Sequence, residues 1–328
     1  MRPLSLALRS LVAAQRVAPP LGDAVRHAVR LRLSPAEAEA ERAIDRLRAS
    51  LAASTATVEV VDYGAGADRP PVRRVADLYA RASSPPSWGR LLFGLARALR
   101  PVRVLELGAN LGVSAAHVAA AIALNEAEDR TDDEPDGFAG GRPAPRLTTL
   151  EGAPALAALA ARHLAALGHA GRSRVVTGAF DATLADVCAA DGPFDLVFVD
   201  GHHEEAAALR YVEALRPHLA PGAVVVLDDV EPGRPVRRAW TRLRRDHPDA
   251  PAAYLGKWGL MVMDGGRWAM DGGTDSRAPD ASPRRSSLVA PPAAGDPVAG
   301  DAGDRPSAPL AGADTPDVRP TASPAPSP

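Results

Sequence analysis

Residues 102–116 decide the fold: Val102-Arg103-Val104-Leu105-Glu106-Leu107-Gly108-Ala109-Asn110-Leu111-Gly112-Val113-Ser114-Ala115-Ala116. A short apolar run carries an acid near its end, and a glycine-bearing turn then leads straight into an alanine-rich helix. Strands that are almost entirely apolar are buried on both faces, which is the habit of parallel sheets covered by helices. Glycine lets the backbone approach a ligand closely, and a helix N-terminus offers unpaired N–H groups to an anion. The turn therefore reads as a ligand cradle at the carboxyl end of a buried strand.

Outward from this turn the same pattern repeats. Strands are expected at 102–107, 147–150, 174–177, 194–199 and 223–227, with helices near 113–124, 154–167, 182–190, 203–218 and 234–246. Tyr254 and the run 258–263 read as a closing antiparallel pair. The fold class is α/β, a doubly wound and mostly parallel sheet, in which ligands sit beyond the carboxyl ends of the strands. Those ends hold Glu151, then Gly178-Ala179-Phe180-Asp181, then Asp200-Gly201-His202-His203, then Asp228-Asp229.

The remaining sequence divides by composition. Residues 1–54 are arginine-rich, and Ser34-Pro35-Ala36-Glu37 has the form of a helix start with a capping box. The helix would run to about Leu51, with Ala40, Ile44, Leu47 and Leu51 on one face. Residues 55–268 form the main domain, and its acidic, Gly/Pro-rich stretch 125–146 reads as an inserted loop. Residues 269–328 carry many prolines and aspartates and no aromatic side chain, a composition that cannot bury enough surface to order itself. The chain of 328 residues has a formal net charge of -2, which argues against a surface that binds nucleic acid by counterion release. No apolar run reaches the ~18 residues of a membrane span. The single cysteine, Cys188, excludes an intramolecular disulfide and fits a reducing, cytoplasmic setting. Lys257 is the only lysine, so no other position could supply a catalytic amine. At the tip of the closing hairpin it is expected to be solvated.

A dinucleotide fingerprint would need G-x-G-x-x-G, whereas the turn has Gly108-x-x-x-Gly112 with Asn110 between. Upstream, Val60-Val61-Asp62-Tyr63-Gly64-Ala65-Gly66 imitates a strand and glycine turn. Arg69-Pro70-Pro71 blocks an immediate helix behind it, so this run is expected to be a structural turn.

The run VLELGANLGVSAAHVA resembles the first motif of class I S-adenosylmethionine-dependent methyltransferases, in particular the catechol-type O-methyltransferases and a related bacterial branch with a DGAG-like turn upstream. LTTLEG, GAFD, FDLVFVDGHH and GAVVVLDDVE resemble the later motifs of the same class, in order. The resemblance implies a Rossmann-like seven-stranded sheet with a C-terminal antiparallel hairpin, preceded here by N-terminal helices. It implies S-adenosyl-L-methionine as cofactor, held by Glu106, Gly108, Ala109, Asn110, Gly112 and Ser114 at its methionine end. Glu151 would take the ribose, Ala179, Phe180 and Asp181 would frame the adenine, and Asp200 would lie near the reacting methyl. The implied partner is a small-molecule methyl acceptor, and a homodimer is compatible with the family.

Methyl transfer needs a deprotonated acceptor oxygen, which a general base or a divalent cation can provide. Catechol-type enzymes keep a lysine three residues after the fourth-strand aspartate; this chain has His203 there, a side chain that titrates near neutrality. The alternative for His202 and His203 is a pair of polar residues opening a helix. The family holds Mg²⁺ with the fourth-strand aspartate and an Asp-Asn pair, for which this chain offers Asp200, Asp228 and Asp229. Asp229 could instead cap the next helix. Two other readings stay open at this level: an NAD(P)-dependent oxidoreductase on a similar sheet, and a non-catalytic scaffold with the methyltransferase fold.

Overall fold

The computed structural model describes residues 19–29, 32–61, 63, 71–132 and 144–263. The tail 269–328 and residues 133–143 of the expected acidic loop lie outside these residues. Helices α1 (Leu21–Val29) and α2 (Pro35–Ala52) come first, followed by the short strands β1 (Thr57–Glu59) and β2 (Val72–Arg74). Helices α3 (Val75–Ala82) and α4 (Pro86–Leu99) lead into β3 (Arg103–Leu107) and α5 (Val113–Asp132). The alternation continues through β4 (Arg146–Glu151), α6 (Pro154–Ala166), β5 (Ser173–Thr177), α7 (Phe180–Asp191), β6 (Phe194–Val199) and α8 (Glu205–Leu215). It closes with β7 (Leu219–Leu227), α9 (Pro235–Asp246), β8 (Ala252–Tyr254) and β9 (Gly259–Met263).

Seven strands form one sheet in the order β5-β4-β3-β6-β7-β9-β8. β5 through β7 are parallel, and β9 runs antiparallel to both β7 and β8. The strand pleat sends alternate side chains to opposite faces. On one face Val104, Leu147, Leu196, Phe198, Val224 and Val226 pack with α1, α4 and α5; on the other Leu105, Leu107, Leu150, Val197, Val199 and Val225 meet α7, α8 and α9. The strand order reverses direction between β3 and β6, so a crevice opens at their carboxyl ends. The expected doubly wound architecture and its closing hairpin are present as read from the sequence.

The helix start at Ser34 has the anticipated capping box: Glu37 N–H donates to Ser34 Oγ at 3.2 Å, and Ser34 N–H donates to Glu37 Oε2 at 2.8 Å. The buried face of α2 departs from a purely apolar stripe, because Glu37, Glu41 and Arg48 are buried beside Ile44 and Leu51. They are tolerated because they are paired. Glu37 meets Arg97 at 2.8 Å, and Glu41 meets His117 at 2.9 Å and Arg90 at 3.3 Å. Burial raises the Glu41 carboxyl, but His117 and Arg90 outweigh it and hold it below its ordinary value.

One sequence expectation changes here. The stretch 125–146, read as an inserted loop, begins as helix, since α5 continues to Asp132. Asn125 is buried and donates to the Ala96 carbonyl, while Glu128 and Glu126 are bound by Arg97, Arg100 and Arg172, so the acids serve as helix anchors. Of the upstream run 60–66, Val60 directly follows β1, which pairs antiparallel with β2; it is buried and donates its N–H to the Pro71 carbonyl at 2.6 Å, whereas Asp62 and Gly64-Ala65-Gly66 lie outside the described residues. Among the described residues no helix is long and apolar enough to cross a membrane.

Candidate active site

A cavity of about 1030 Å³ lies over the carboxyl ends of β3, β4 and β6. Gly108, Ala109, Asn110, Ser114, Glu151, Ala179, Phe180, Asp181, Asp200, His203, Asp228 and Asp229 all line it. Of the residues expected in the site, Glu106 and Gly112 alone are not on its wall. Gly112, at φ +77°, lets the loop close on α6: a Cβ there would stand 3.0 Å from Ala160 Cα. Glu106 is 1% exposed and sits behind the wall.

The loop after β3 is fixed from both sides. Gly108 has φ +110°, and a Cβ on it would fall 2.1 Å from the Asp200 carbonyl oxygen, so the β3 and β6 ends touch only because it is glycine. Glu151 accepts the Asn110 N–H at 2.7 Å and the Ala153 N–H at 2.9 Å. One carboxylate thereby ties the first loop to the second strand. Asn110 has φ +46°, and its buried Oδ1 has no hydrogen-bond partner among the described residues.

Glu106 accepts a hydrogen bond from Thr149 Oγ1 at 2.5 Å, while its Oε1 has no partner among the described residues. Burial pushes its carboxyl up to about 7, against the lowering effect of the Ser114 and Thr149 hydroxyls and with the help of the nearby Glu151 charge. Below about pH 7 a protonated Glu106 backs the loop without placing a second anion next to Glu151.

On the adenine side of the expected site, Phe180 lies across Gly201, where a Cβ would come within 2.6 Å of its ring. Phe180 also meets Tyr211 edge-on at 5.6 Å. Asp181 is held by Arg210 at 2.9 Å. Tyr211, whose hydroxyl burial pushes up to about 12, donates to Asp181 at 3.4 Å and stands 2.8 Å from His202 Nδ1.

His203 and His202 do not open a helix, because α8 begins at Glu205. They occupy left-handed backbone, φ 27° and 62°, and Asp229 does the same at 55°. Among the described residues five non-glycine positions have positive φ, and all but Arg100 line this cavity. Backbone strain of this kind clusters where function over-determines geometry. It brings His203 Nδ1 to 3.5 Å from Asp229 Oδ2.

Lys257 corrects the expectation of a solvated hairpin tip. Its ammonium reaches Asp228 Oδ2 at 2.5 Å and Asp229 Oδ1 at 3.6 Å. The backbone enforces this, because Val230 N–H donates to the Lys257 carbonyl at 2.9 Å. Burial and the adjoining Asp228 charge push Asp200 well above the ordinary carboxylate value. Burial also works against ionised Asp228, but the hydrogen bond from Asp200 and the Lys257 charge keep it lowered. Among the described residues no three His, Cys, Asp or Glu side chains are gathered as a metal-binding group.

Sequence reasoning also missed Tyr63, whose ring lies against Gly152 beside Glu151 and lines the cavity. Ser83, Ser84 and Pro85, just before α4, line the wall as well.

Residues 105–230 match a family described as "Methyltransferase domain". This stretch is similar to methyltransferase domains. It contains every residue expected in the site, whereas Lys257 and the hairpin that carries it lie beyond the matched span. The chain is 33% identical over 165 residues to a catechol O-methyltransferase of Mycobacterium tuberculosis (strain ATCC 25618 / H37Rv), covering 50% of this chain and 62% of that protein. It thus spans less than two thirds of that relative's length. Similar solved structures include the O-methyltransferase TomG from Streptomyces achromogenes, in complex with SAM, at 24% identity and TM-score 0.44, covering 72% of this chain and 92% of that one. Another is an O-methyltransferase from Bacillus cereus in complex with SAH, at 19% identity and TM-score 0.46, covering 69% and 90%.

Proposed function

We propose that this chain is an S-adenosylmethionine-dependent methyltransferase acting on an oxygen of a small-molecule acceptor. The observation that carries the reading is the carboxylate of Glu151, bonded to the Asn110 N–H at the mouth of the methyltransferase-domain loop. The residues fit such a cofactor. The cradle at Gly108 has no room for a side chain, and the buried Asn110 Oδ1 awaits a donor. An acid stands at the end of the second strand, where a ribose would hydrogen-bond.

S-adenosylmethionine, when bound, supplies a methyl group that its sulfonium already makes electrophilic, so positioning provides much of the rate. Ser114 and the first N–H groups of α5 would bind its carboxylate. Glu151 would accept the ribose hydroxyls, and Ala179, Phe180 and Asp181 would border the adenine. Asp200 would lie near the reacting methyl, its carboxyl raised by burial and by Asp228 beside it. His203 would take the proton from the acceptor hydroxyl, with Asp229 orienting its ring from 3.5 Å and stabilising the imidazolium that forms.

A divalent cation does not fit the three aspartates as they stand. Both oxygens of Asp228 are engaged, one by Lys257 and the other by the Asp229 N–H at 2.7 Å. Proton removal is therefore derived through His203 alone.

Calorimetry with S-adenosylmethionine, S-adenosylhomocysteine and NAD tests the reading. The first two should bind, and Glu151→Ala should weaken both by about tenfold or more, since loop anchoring and ribose bonds go together. Binding of NAD with no response to the other two would overturn the proposal in favour of an oxidoreductase.

A further inference from the structure

The cluster of acids in this cavity contains its own cation. Lys257 is the sole lysine of the chain, and the turn between β8 and β9 delivers it to the aspartates. Two backbone bonds clamp that turn, from Leu255 N–H to the Trp258 carbonyl at 2.8 Å and from Val230 N–H to the Lys257 carbonyl at 2.9 Å. Trp258 itself is buried between Trp88 and Phe198, at ring distances of 4.7 Å and 5.3 Å. The ammonium thus comes from an anchored element.

Mg²⁺ and Mn²⁺ need several oxygens converging within about 2.0–2.6 Å of one point. Here Asp228 is 2% exposed, with one oxygen on the Lys257 ammonium at 2.5 Å and the other on a backbone N–H. Of Asp229, one oxygen faces Lys257 at 3.6 Å and the other faces His203 at 3.5 Å. A divalent ion placed among them would sit a few ångströms from a fixed ammonium, and it would take Asp228 oxygens away from two N–H donors.

We propose that the Lys257 ammonium stands in place of the divalent cation, so that the Asp200-Asp228-Asp229 cluster is partly neutralised from within and binds no metal. Lys257 is then a positioning residue. It fixes Asp228 and Asp229, and Asp229 in turn fixes His203. The inference rests on the methyltransferase reading for its meaning, but its test needs neither cofactor nor acceptor.

The test is a Mn²⁺ titration followed by electron paramagnetic resonance on wild type, Lys257→Met, Lys257→Arg, Asp228→Asn, and the double variant Lys257→Met/Asp228→Asn. Methionine keeps the stem and removes the charge. Wild type and Lys257→Arg should bind no Mn²⁺ at this site up to about 1 mM, the weak end of oxygen-ligand sites. Lys257→Met should gain one Mn²⁺ at least tenfold tighter, and the double variant should lose it again. Mn²⁺ binding by wild type that disappears in Asp228→Asn would overturn the proposal. So would a folded Lys257→Met protein with no gain. If Lys257→Met does not fold, wild type against Asp228→Asn still decides: equal absence of binding supports the proposal and a difference refutes it. Failure of S-adenosylmethionine to bind, with this Mn²⁺ pattern intact, would remove the methyltransferase reading and leave the lysine assignment standing.

Discussion

Glu106→Gln should stabilise the free protein at alkaline pH and leave it nearly unchanged at acid pH. Glu106 is buried with one oxygen unpartnered, and burial raises its carboxyl from 4.5 to about 7. The sign follows from proton binding. Between those two values the folded state keeps a proton that the unfolded chain has released, so stability falls as pH rises through the window and levels off above about 7. At 1.36 kcal/mol per pK unit the full cost is about 3 kcal/mol, of which roughly 2–3 kcal/mol appears between pH 5 and pH 8. Glutamine keeps an oxygen for the Thr149 hydroxyl and cannot ionise. Urea unfolding without cofactor at pH 5 and pH 8, for both proteins, measures the difference. A shift of about 5–10 °C in relative melting temperature is the thermal equivalent for a domain of this size. If the stability gap between glutamate and glutamine is the same at both pH values, Glu106 is not the neutral buried acid described here.

Gly108→Ala should destabilise the protein by roughly 2–4 kcal/mol and abolish cofactor binding, because the added Cβ meets the Asp200 carbonyl and the backbone is left-handed. An unchanged melting temperature would disprove the close approach. His203→Ala should lower turnover by about a hundredfold or more on any hydroxylated acceptor that yields S-adenosylhomocysteine, while cofactor affinity stays the same. Undiminished turnover would dismiss His203 as the base, and a parallel loss of cofactor binding would assign it to the cofactor pocket instead.

Much of the site was legible because parallel sheets place ligand groups just past strand ends. Gly108, Asn110, Glu151, Phe180 and Asp200 each follow an apolar run directly, so the position of the strand fixes the position of the residue. The capping box at Ser34 was equally local, resting on residues three apart. Other contacts carried no such signal. Glu41 and Arg48 looked like solvent-facing charges on an amphipathic helix, and only their pairing with His117 and Arg90 makes them interior residues. Acids at 126, 128 and 129 looked like loop composition, but Arg97 and Arg100 at the end of α4 and Arg172 before β5 hold them.

The apolar runs, their spacing and the residues at their ends determined by themselves a doubly wound sheet with a ligand loop after its first parallel strand. Those are consequences of backbone periodicity and need no partner from elsewhere in the chain. What the tertiary structure alone decided is the electrostatics of the cavity. A hairpin tip exposes its side chains unless a neighbouring loop captures its backbone, and the Val230–Lys257 bond is such a capture. It joins residues from two different strand connections and turns a hairpin-tip lysine into the counter-charge of Asp228 and Asp229.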